Sequence, residues 1–170
     1  MKKKTLSAAG LTKIVEFCKK VHAARATRNK RNNDSGDHRL TREITGKVGE
    51  ACVAYLLNLW HKIDFDVYET GNVKFEADLG KHIHVKTCHI DAKGTELDSW
   101  LVDKSDDVFH NPHKNDKIYL AYANELGKCE VLGYVNAVDV YWIWKSSKTL
   151  FHKMALYIDD IKDLIHPIKN

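Results

Sequence analysis

The feature that most constrains the fold is the stretch FEADLGKHIHVKTCHI, residues 75–90. It predicts two short strands joined by a tight turn at Gly80 and Lys81. Successive residues of a strand point to opposite faces of the sheet, so His84 and Lys86 should share one face. The hairpin would bring Asp78, at the end of the first strand, close to both. The pattern therefore predicts a sheet with a compact polar group on one face.

This polar group has the chemistry of metal-assisted phosphodiester hydrolysis. An acid and a neighbouring ligand hold a divalent cation, while the cation and a lysine favour hydroxide formation and neutralise charge at the phosphate. A lysine in an apolar strand is unfavourable unless it is paired or functional, which makes Lys86 the strongest candidate. For Asp78 the structural alternative is a turn residue beside Gly80.

At these positions the chain resembles the PD-(D/E)XK nuclease superfamily, which includes restriction enzymes, junction resolvases and phage nucleases. The family pattern has an Asp at the end of one strand, an acidic-x-Lys on the next and often a Glu on the preceding helix. Asp78 matches the first acid, His84-Val85-Lys86 the second element, and Glu50 in GKVGEACVAYLL the helical acid. The resemblance spans roughly residues 40–165 in element order, and His84 stands where the family has its second acid.

The resemblance implies a restriction endonuclease-like α/β or α+β fold, with a central mixed sheet flanked by helices. It implies that Glu50, Asp78, His84 and Lys86 are catalytic, and that Asp78, His84, Glu50 and the Val85 carbonyl hold Mg²⁺ or Mn²⁺. In a second interpretation His84 contacts the phosphate instead of the metal. Because imidazole nitrogen suits Mn²⁺ better than Mg²⁺, we expect activity to prefer Mn²⁺ and to fall below about pH 6 as His84 protonates.

Apolar residues at helical spacing predict a first helix over residues 5–31, with a basic end. The basic side chains of this end are Arg25, Arg28, Lys30 and Arg31. We interpret them as candidates for contact with a nucleic-acid backbone, against the alternatives of a solvated helix end or a dimer contact. The predicted organisation is a basic helical arm over residues 1–37 and a nuclease-like α/β domain over residues 38–170.

A second helix is predicted from about Leu40 to Trp60, with Thr41 as its N-cap. Its apolar stripe consists of Ile44, Val48, Cys52, Tyr55, Leu56 and Leu59. Gly46 and Gly49 would allow a close approach to a sheet or a phosphate. Glu50 lies beside the stripe, where a solvated helix residue is the ordinary alternative to a metal-site acid.

Strand patterns follow at residues 63–70, 117–123 and 129–135. Residues 95–116 lack clean periodicity and are interpreted as a loop that could carry specificity. Residues 141–158 are predicted to be irregular or extended, and a short helix from near Asp159 to Pro167 closes the chain. Tyr141, Trp142 and Trp144 are better explained by a strand buried on both faces than by a nucleic-acid stacking platform.

His82, His84 and Cys88 alternate along the predicted strand, and His110 and His113 follow in FHNPH. Their spacing is not that of structural zinc sites. We therefore interpret the histidines other than His84 as surface or hydrogen-bonded residues.

A chain of 170 residues with a formal net charge of +4 indicates one domain that permits, without requiring, a polyanionic partner. Its four cysteines are scattered, and neither a signal peptide nor an apolar run of membrane length is recognisable. A cytoplasmic protein with no membrane partner is expected.

The expected function is that of a metal-dependent DNA endonuclease of a phage, mobile-element, restriction or resolvase-like kind. Double-strand cleavage by one small domain would require a homodimer or a higher oligomer. Two alternatives stay open. One is a nuclease-fold protein that binds nucleic acid without cleaving it, and the other is a small α/β interaction protein in which the Asp-His-Lys pattern is accidental.

Overall fold

The computed structural model describes residues 1–28, 36–63, 78–150 and 152–168, without the side chains of residues 24–28, 36 and 37. In chain order its elements are β1 (Lys2–Thr5), α1 (Ala8–Arg28), α2 (Gly36–Leu56), β2 (Ile83–His89), β3 (Ser99–Asp103), α3 (Asp107–His110), β4 (Lys117–Ala123), β5 (Lys128–Asn136), β6 (Lys145–Ser146), β7 (Lys153–Tyr157) and α4 (Ile158–Ile161). Short 3₁₀ turns cover Trp60–Lys62, Ile90–Ala92 and Lys162–Leu164. No helix within these described ranges is long and apolar enough to cross a membrane.

The described strands form two sheets. The main sheet has the order β1-β5-β4-β2, in which β2 and β4 are parallel and the other pairs are antiparallel. The second sheet is antiparallel, with the order β3-β7-β6. Along β4, Tyr119 and Ala121 pack with the helices, whereas Ile118 and Leu120 pack with the second sheet. The protein is therefore α+β, with a mixed four-stranded sheet between α1 and α2 on one side and the smaller sheet on the other.

The second predicted helix exists, but its boundaries differ from the prediction. It begins at Gly36, so Thr41 lies inside the helix instead of capping it. Cys52 of the predicted stripe is fully buried, whereas Tyr55 is 55% exposed. Tyr55 lies at the margin of the buried face, and the Lys4 ammonium lies 3.6 Å from the centroid of its ring. Tyr55 therefore contributes a cation–π contact at the surface and not a core side chain.

The strands predicted over residues 117–123 and 129–135 are confirmed as β4 and as part of β5. Apart from Ile63, the strand predicted over residues 63–70 lies outside the described residues. The first strand of the predicted hairpin, up to residue 77, also lies outside them. The second strand of the hairpin is β2.

The interpretation of residues 95–116 as a loop is wrong, because this segment contains β3 and α3. Two parallel strands need a crossover connection of a dozen or more residues, and this segment makes that connection between β2 and β4. Trp100 of β3 is fully buried, and its indole N–H donates to the carbonyl of Ala121 at 2.9 Å. The connection leaves the main sheet to build the second one, so its short elements show no single periodicity.

The predicted two-sided strand around residues 141–144 is also wrong. These residues form turns, in which Trp144 is buried and Trp142 is 89% exposed. Trp144 packs edge-on against Phe109, with 5.9 Å between ring centroids. The closing helix is present but shorter than predicted: α4 has Asp159 in its first turn and ends at Ile161, and the 3₁₀ turn that follows ends at Leu164, before Pro167.

Candidate active site at the edge of the main sheet

β2 is the outermost strand of the main sheet in the described part of the chain, and one of its faces is polar. His84 and Lys86 stand on this face, opposite Ile118 and Leu120 of β4 in the parallel register. The side chain of His84 is 7% exposed and that of Lys86 is 15% exposed. Both residues therefore present titratable groups from a largely dehydrated surface.

Asp78 is tied to this strand by a tight turn. The Leu79 N–H donates to the Ile83 carbonyl at 3.0 Å, and Gly80 adopts a φ of +80°, which glycine tolerates without strain. The Asp78 carboxylate accepts a hydrogen bond from the Val85 backbone N–H at 2.6 Å. A charged acceptor strengthens such a bond, so Asp78 is held beside the backbone that joins His84 to Lys86.

Helix α2 brings Glu50 to the same group, because Gly49 lets the helix approach β2 closely. A Cβ atom at Gly49 would lie 2.0 Å from Oγ1 of Thr87, so any larger residue would push the helix away or displace Thr87. The Glu50 side chain is 19% exposed, and its Oε2 lies 2.5 Å from Nζ of Lys47. Glu50 therefore reaches the site as one half of an ion pair on α2.

The charges of these residues act on one another. Burial raises the pKa of Glu50 to about 7; Lys47 opposes this rise, and the negative charge of Asp78 adds to it. For Lys86, burial disfavours the ammonium, but Asp78, Asp106 and Glu50 outweigh burial and raise its pKa. Lys86 is therefore a cation at neutral pH.

Burial lowers the pKa of His84, against the opposing effect of the Asp78 charge. His84 is therefore a neutral imidazole at pH 7, the form in which a histidine binds a metal. Glu50, Asp78, His84 and Lys86 come from α2, the turn and β2. Asp78 and Lys86 act electrostatically on both Glu50 and His84.

Two carboxylates that the sequence analysis missed come from the crossover connection. Asp106 is the N-cap of α3: one oxygen accepts from the Val108 N–H at 3.2 Å, and the other lies 2.8 Å from Nζ of Lys86. Asp116 immediately precedes β4, and its Oδ2 lies 3.9 Å from Nε2 of His84. An Asp one residue before a short helical pattern signals a cap, but nothing in that signal indicates which strand the cap will face.

The remaining predicted site residues are placed less fully. Val85 is buried against the helices, and its N–H is the group that Asp78 engages. Lys30, Arg31 and the side chains of Arg25 and Arg28 lie outside the described residues.

A cleft of about 210 Å³ lies between α1 and α2, and its lining includes Arg42, Lys47 and Glu50.

The donor set suits a hard or borderline divalent cation. The carboxylates of Glu50 and Asp78 supply oxygen, and the neutral imidazole of His84 supplies nitrogen. The raised pKa of Glu50 shows that burial and the Asp78 charge disfavour its ionised form. A cation between the two carboxylates would relieve this repulsion. Among the described residues, however, the three ligand atoms that lie within 4.8 Å of one another belong to His82, His113 and Asp116, so Glu50, Asp78 and His84 would have to draw closer to share one ion.

Comparison with known proteins identifies no family for this chain. No protein-family model, no curated protein and no solved structure matches it. The chemistry of the site therefore has to be inferred from the residues and contacts described above.

Proposed function

We propose that this protein is a metal-dependent DNA endonuclease with a PD-(D/E)XK-type site on a restriction endonuclease-like core. The observation that carries the proposal is the meeting of two acids, a neutral histidine and a cationic lysine at one edge of the sheet. Perturbed groups of this kind concentrate at functional sites.

Each residue has a distinct role in the proposed reaction. Asp78, Glu50, His84 and the Val85 carbonyl would hold Mg²⁺ or Mn²⁺, which when bound lowers the pKa of a water molecule and neutralises phosphate charge. The Val85 N–H fixes the direction of the Asp78 carboxylate. Lys86 remains protonated, so it stabilises negative charge on the phosphate and does not act as a general base.

The structure changes the expected pH dependence of this activity. The sequence suggested an acid limb near pH 6, set by His84. Because burial lowers the pKa of His84 and raises that of Glu50 to about 7, Glu50 is the group that protonates first as pH falls. Metal binding needs the ionised carboxylate, so activity should decline below about pH 7 as Glu50 takes up a proton.

One contact favours a second candidate function, which is binding of nucleic acid without cleavage. Nζ of Lys86 lies 2.8 Å from the Asp106 carboxylate, a partner that already neutralises it. To stabilise a phosphate, Lys86 has to share its protons between Asp106 and the substrate. If the Lys86 ammonium stays paired with Asp106 when nucleic acid is bound, the site keeps its shape but has no lysine available to stabilise charge on the phosphate.

Cleavage of supercoiled plasmid tests the proposal. Wild type, Lys86→Ala and Asp78→Asn are incubated with Mg²⁺, Mn²⁺ or EDTA, and Lys81→Ala, an exposed lysine of the adjoining turn, is the matched control. We expect metal-dependent nicking or linearisation by wild type and Lys81→Ala, and loss of at least about 100-fold in rate in both site variants. Asp78→Asn keeps an oxygen for the Val85 N–H, so its loss of rate would report on charge and not on folding.

Binding separates the candidates if no cleavage is seen. Affinity for DNA that falls steeply with salt, without cleavage in any metal, would support the non-cleaving binding protein. Absence of both cleavage and salt-dependent affinity would contradict both candidates and leave the small interaction protein. Cleavage that survives in Lys86→Ala would show that the reacting site lies elsewhere.

A further inference from the structure

A second group of metal-ligating side chains lies where the connection from α3 to β4 meets the start of β2. His82, just before β2, places Nδ1 2.8 Å from Oδ1 of Asp116. The rings of His82 and His113 are stacked, with centroids 4.7 Å apart and planes 21° apart. One ligand atom from each of His82, His113 and Asp116 falls within 4.8 Å of the others.

The backbone holds the carboxylate of this group in place. The Asp116 N–H donates to the His113 carbonyl at 2.8 Å and closes a turn, and the His113 N–H donates to Asp116 Oδ2 at 2.7 Å. The Asp116 carbonyl accepts from the Ala137 N–H at 2.9 Å, which ties the turn to the end of β5. Asp116 is 8% exposed, whereas the side chain of His82 is 40% exposed. A fixed acid thus lies beneath two imidazoles that solvent can reach.

We propose that His82, His113 and Asp116 form a separate metal site that binds a divalent transition metal such as Zn²⁺ through two imidazoles and one carboxylate. Metal–ligand bonds of about 2.0–2.2 Å put ligand atoms of a tetrahedral ion roughly 3.4 Å apart. The three atoms, now within 4.8 Å, need to close by at most about 1.4 Å, and rotation of the two accessible rings would supply this. Water completes the coordination from the solvent side.

The donor types select the metal. Two nitrogen donors and one oxygen suit Zn²⁺, Co²⁺ or Ni²⁺, whereas Mg²⁺ prefers oxygen ligands and retains its water. Binding through the Nδ1 atoms would replace the His82 Nδ1–Asp116 Oδ1 hydrogen bond at 2.8 Å and the weaker contact in which Nδ1 of His113 accepts from the Asn115 N–H at 3.2 Å. The site therefore differs in preference from the Mg²⁺ or Mn²⁺ centre proposed above, and it does not depend on cleavage activity.

The two sites are neighbours, because Asp116 Oδ2 also lies 3.9 Å from Nε2 of His84. A test has to separate them. The probe is Zn²⁺, titrated in competition with a metallochromic indicator, with Co²⁺ absorption bands as a second readout. Asp78→Asn removes a ligand of the proposed nuclease centre, and His82→Ala/His113→Ala removes both imidazoles of the new site. His110→Ala, an exposed histidine three residues before His113, is the matched control.

We expect one equivalent of Zn²⁺ to bind wild type, Asp78→Asn and His110→Ala equally, and to raise the melting temperature of each. The double variant should bind more than about 10-fold more weakly, since changes even to supporting residues cost about that much. Its own melting temperature without metal shows whether it is folded. Failure of wild type to compete for Zn²⁺, or equal binding by the double variant, would overturn the proposal. Loss of binding in Asp78→Asn alone would assign the ion to the nuclease centre instead.

Discussion

Glu50→Gln isolates the titration of one buried carboxylate in the candidate site while it keeps the shape of the side chain. In the folded protein, burial raises the pKa of Glu50 from 4.5 to about 7. A group with a raised folded pKa stabilises the fold fully below its unfolded pKa, and this contribution is lost as pH rises through the folded value. Wild type should therefore lose stability relative to Glu50→Gln between about pH 4.5 and about pH 7.

The size of this loss follows from the two pKa values. They differ by about 2.5, and one pKa unit corresponds to about 1.4 kcal/mol, so the difference in unfolding free energy should change by about 3 kcal/mol. The side chain is 19% exposed, so residual hydration makes this figure an upper limit. Below about pH 4.5 both proteins carry a neutral group at position 50, and the difference should be constant.

Denaturant unfolding in EDTA, from about pH 4 to about pH 9, measures the difference. Glu96→Gln, at an exposed position, is the control and should show no such trend. With Mn²⁺ present, the cation favours ionised Glu50, so wild type should gain more stability above pH 7 than Glu50→Gln does. A difference that does not vary with pH would refute the argument from burial. Equal gains from Mn²⁺ in both proteins would refute Glu50 as a ligand.

Two further predictions concern the packing that builds the site. Gly49→Ala should destabilise the protein by about 1–3 kcal/mol in thermal or urea unfolding, because its Cβ would meet Thr87 Oγ1 at 2.0 Å. Thr87→Ala should partly rescue it, and equal losses in both backgrounds would contradict the close contact. Asp106→Asn keeps a good N-cap for α3 but removes the carboxylate charge 2.8 Å from the Lys86 ammonium, so we expect a loss of about 1–3 kcal/mol. In a double-mutant cycle, Lys86→Met should recover at least about 0.5 kcal/mol of it, and a coupling of zero would contradict the ion pair.

The sequence was informative where one local pattern coincides with one element. Strand β4 follows from its alternation and apolar content, and it is buried on both faces because each face supports a different core. The spacing of His84 and Lys86 alone put both on one face of a strand. Of the two glycines predicted to allow a close approach, Gly49 does so, against Thr87, whereas a Cβ atom at Gly46 would meet nothing within 4 Å. These inferences need only the two-residue alternation of side chains along a strand, or the small size of glycine.

Prediction from the sequence failed where a residue's neighbours in the fold come from distant segments of the chain. Residues 95–116 had no clean period because they cross from one sheet edge to a second sheet and return. Tyr55 and Trp142 look like core residues by type, yet Tyr55 is 55% exposed and Trp142 is 89% exposed. An apolar side chain indicates that burial is favourable and does not indicate that a partner is available.

By itself, the sequence indicated a mixed sheet flanked by helices, of α/β or α+β class, the strand that carries His84 and Lys86, and the kinds of chemistry that those side chains allow. Only the tertiary structure decided their charge states and partners. Burial and long-range contacts make Lys86 a cation and His84 neutral, and they raise the pKa of Glu50. The crossover connection delivers Asp106 to Lys86, and Asp116 to His82 and His84. Periodicity is a local property that can be read from the order of neighbouring residues. Dehydration and charge pairing depend on groups that meet only when distant segments pack together.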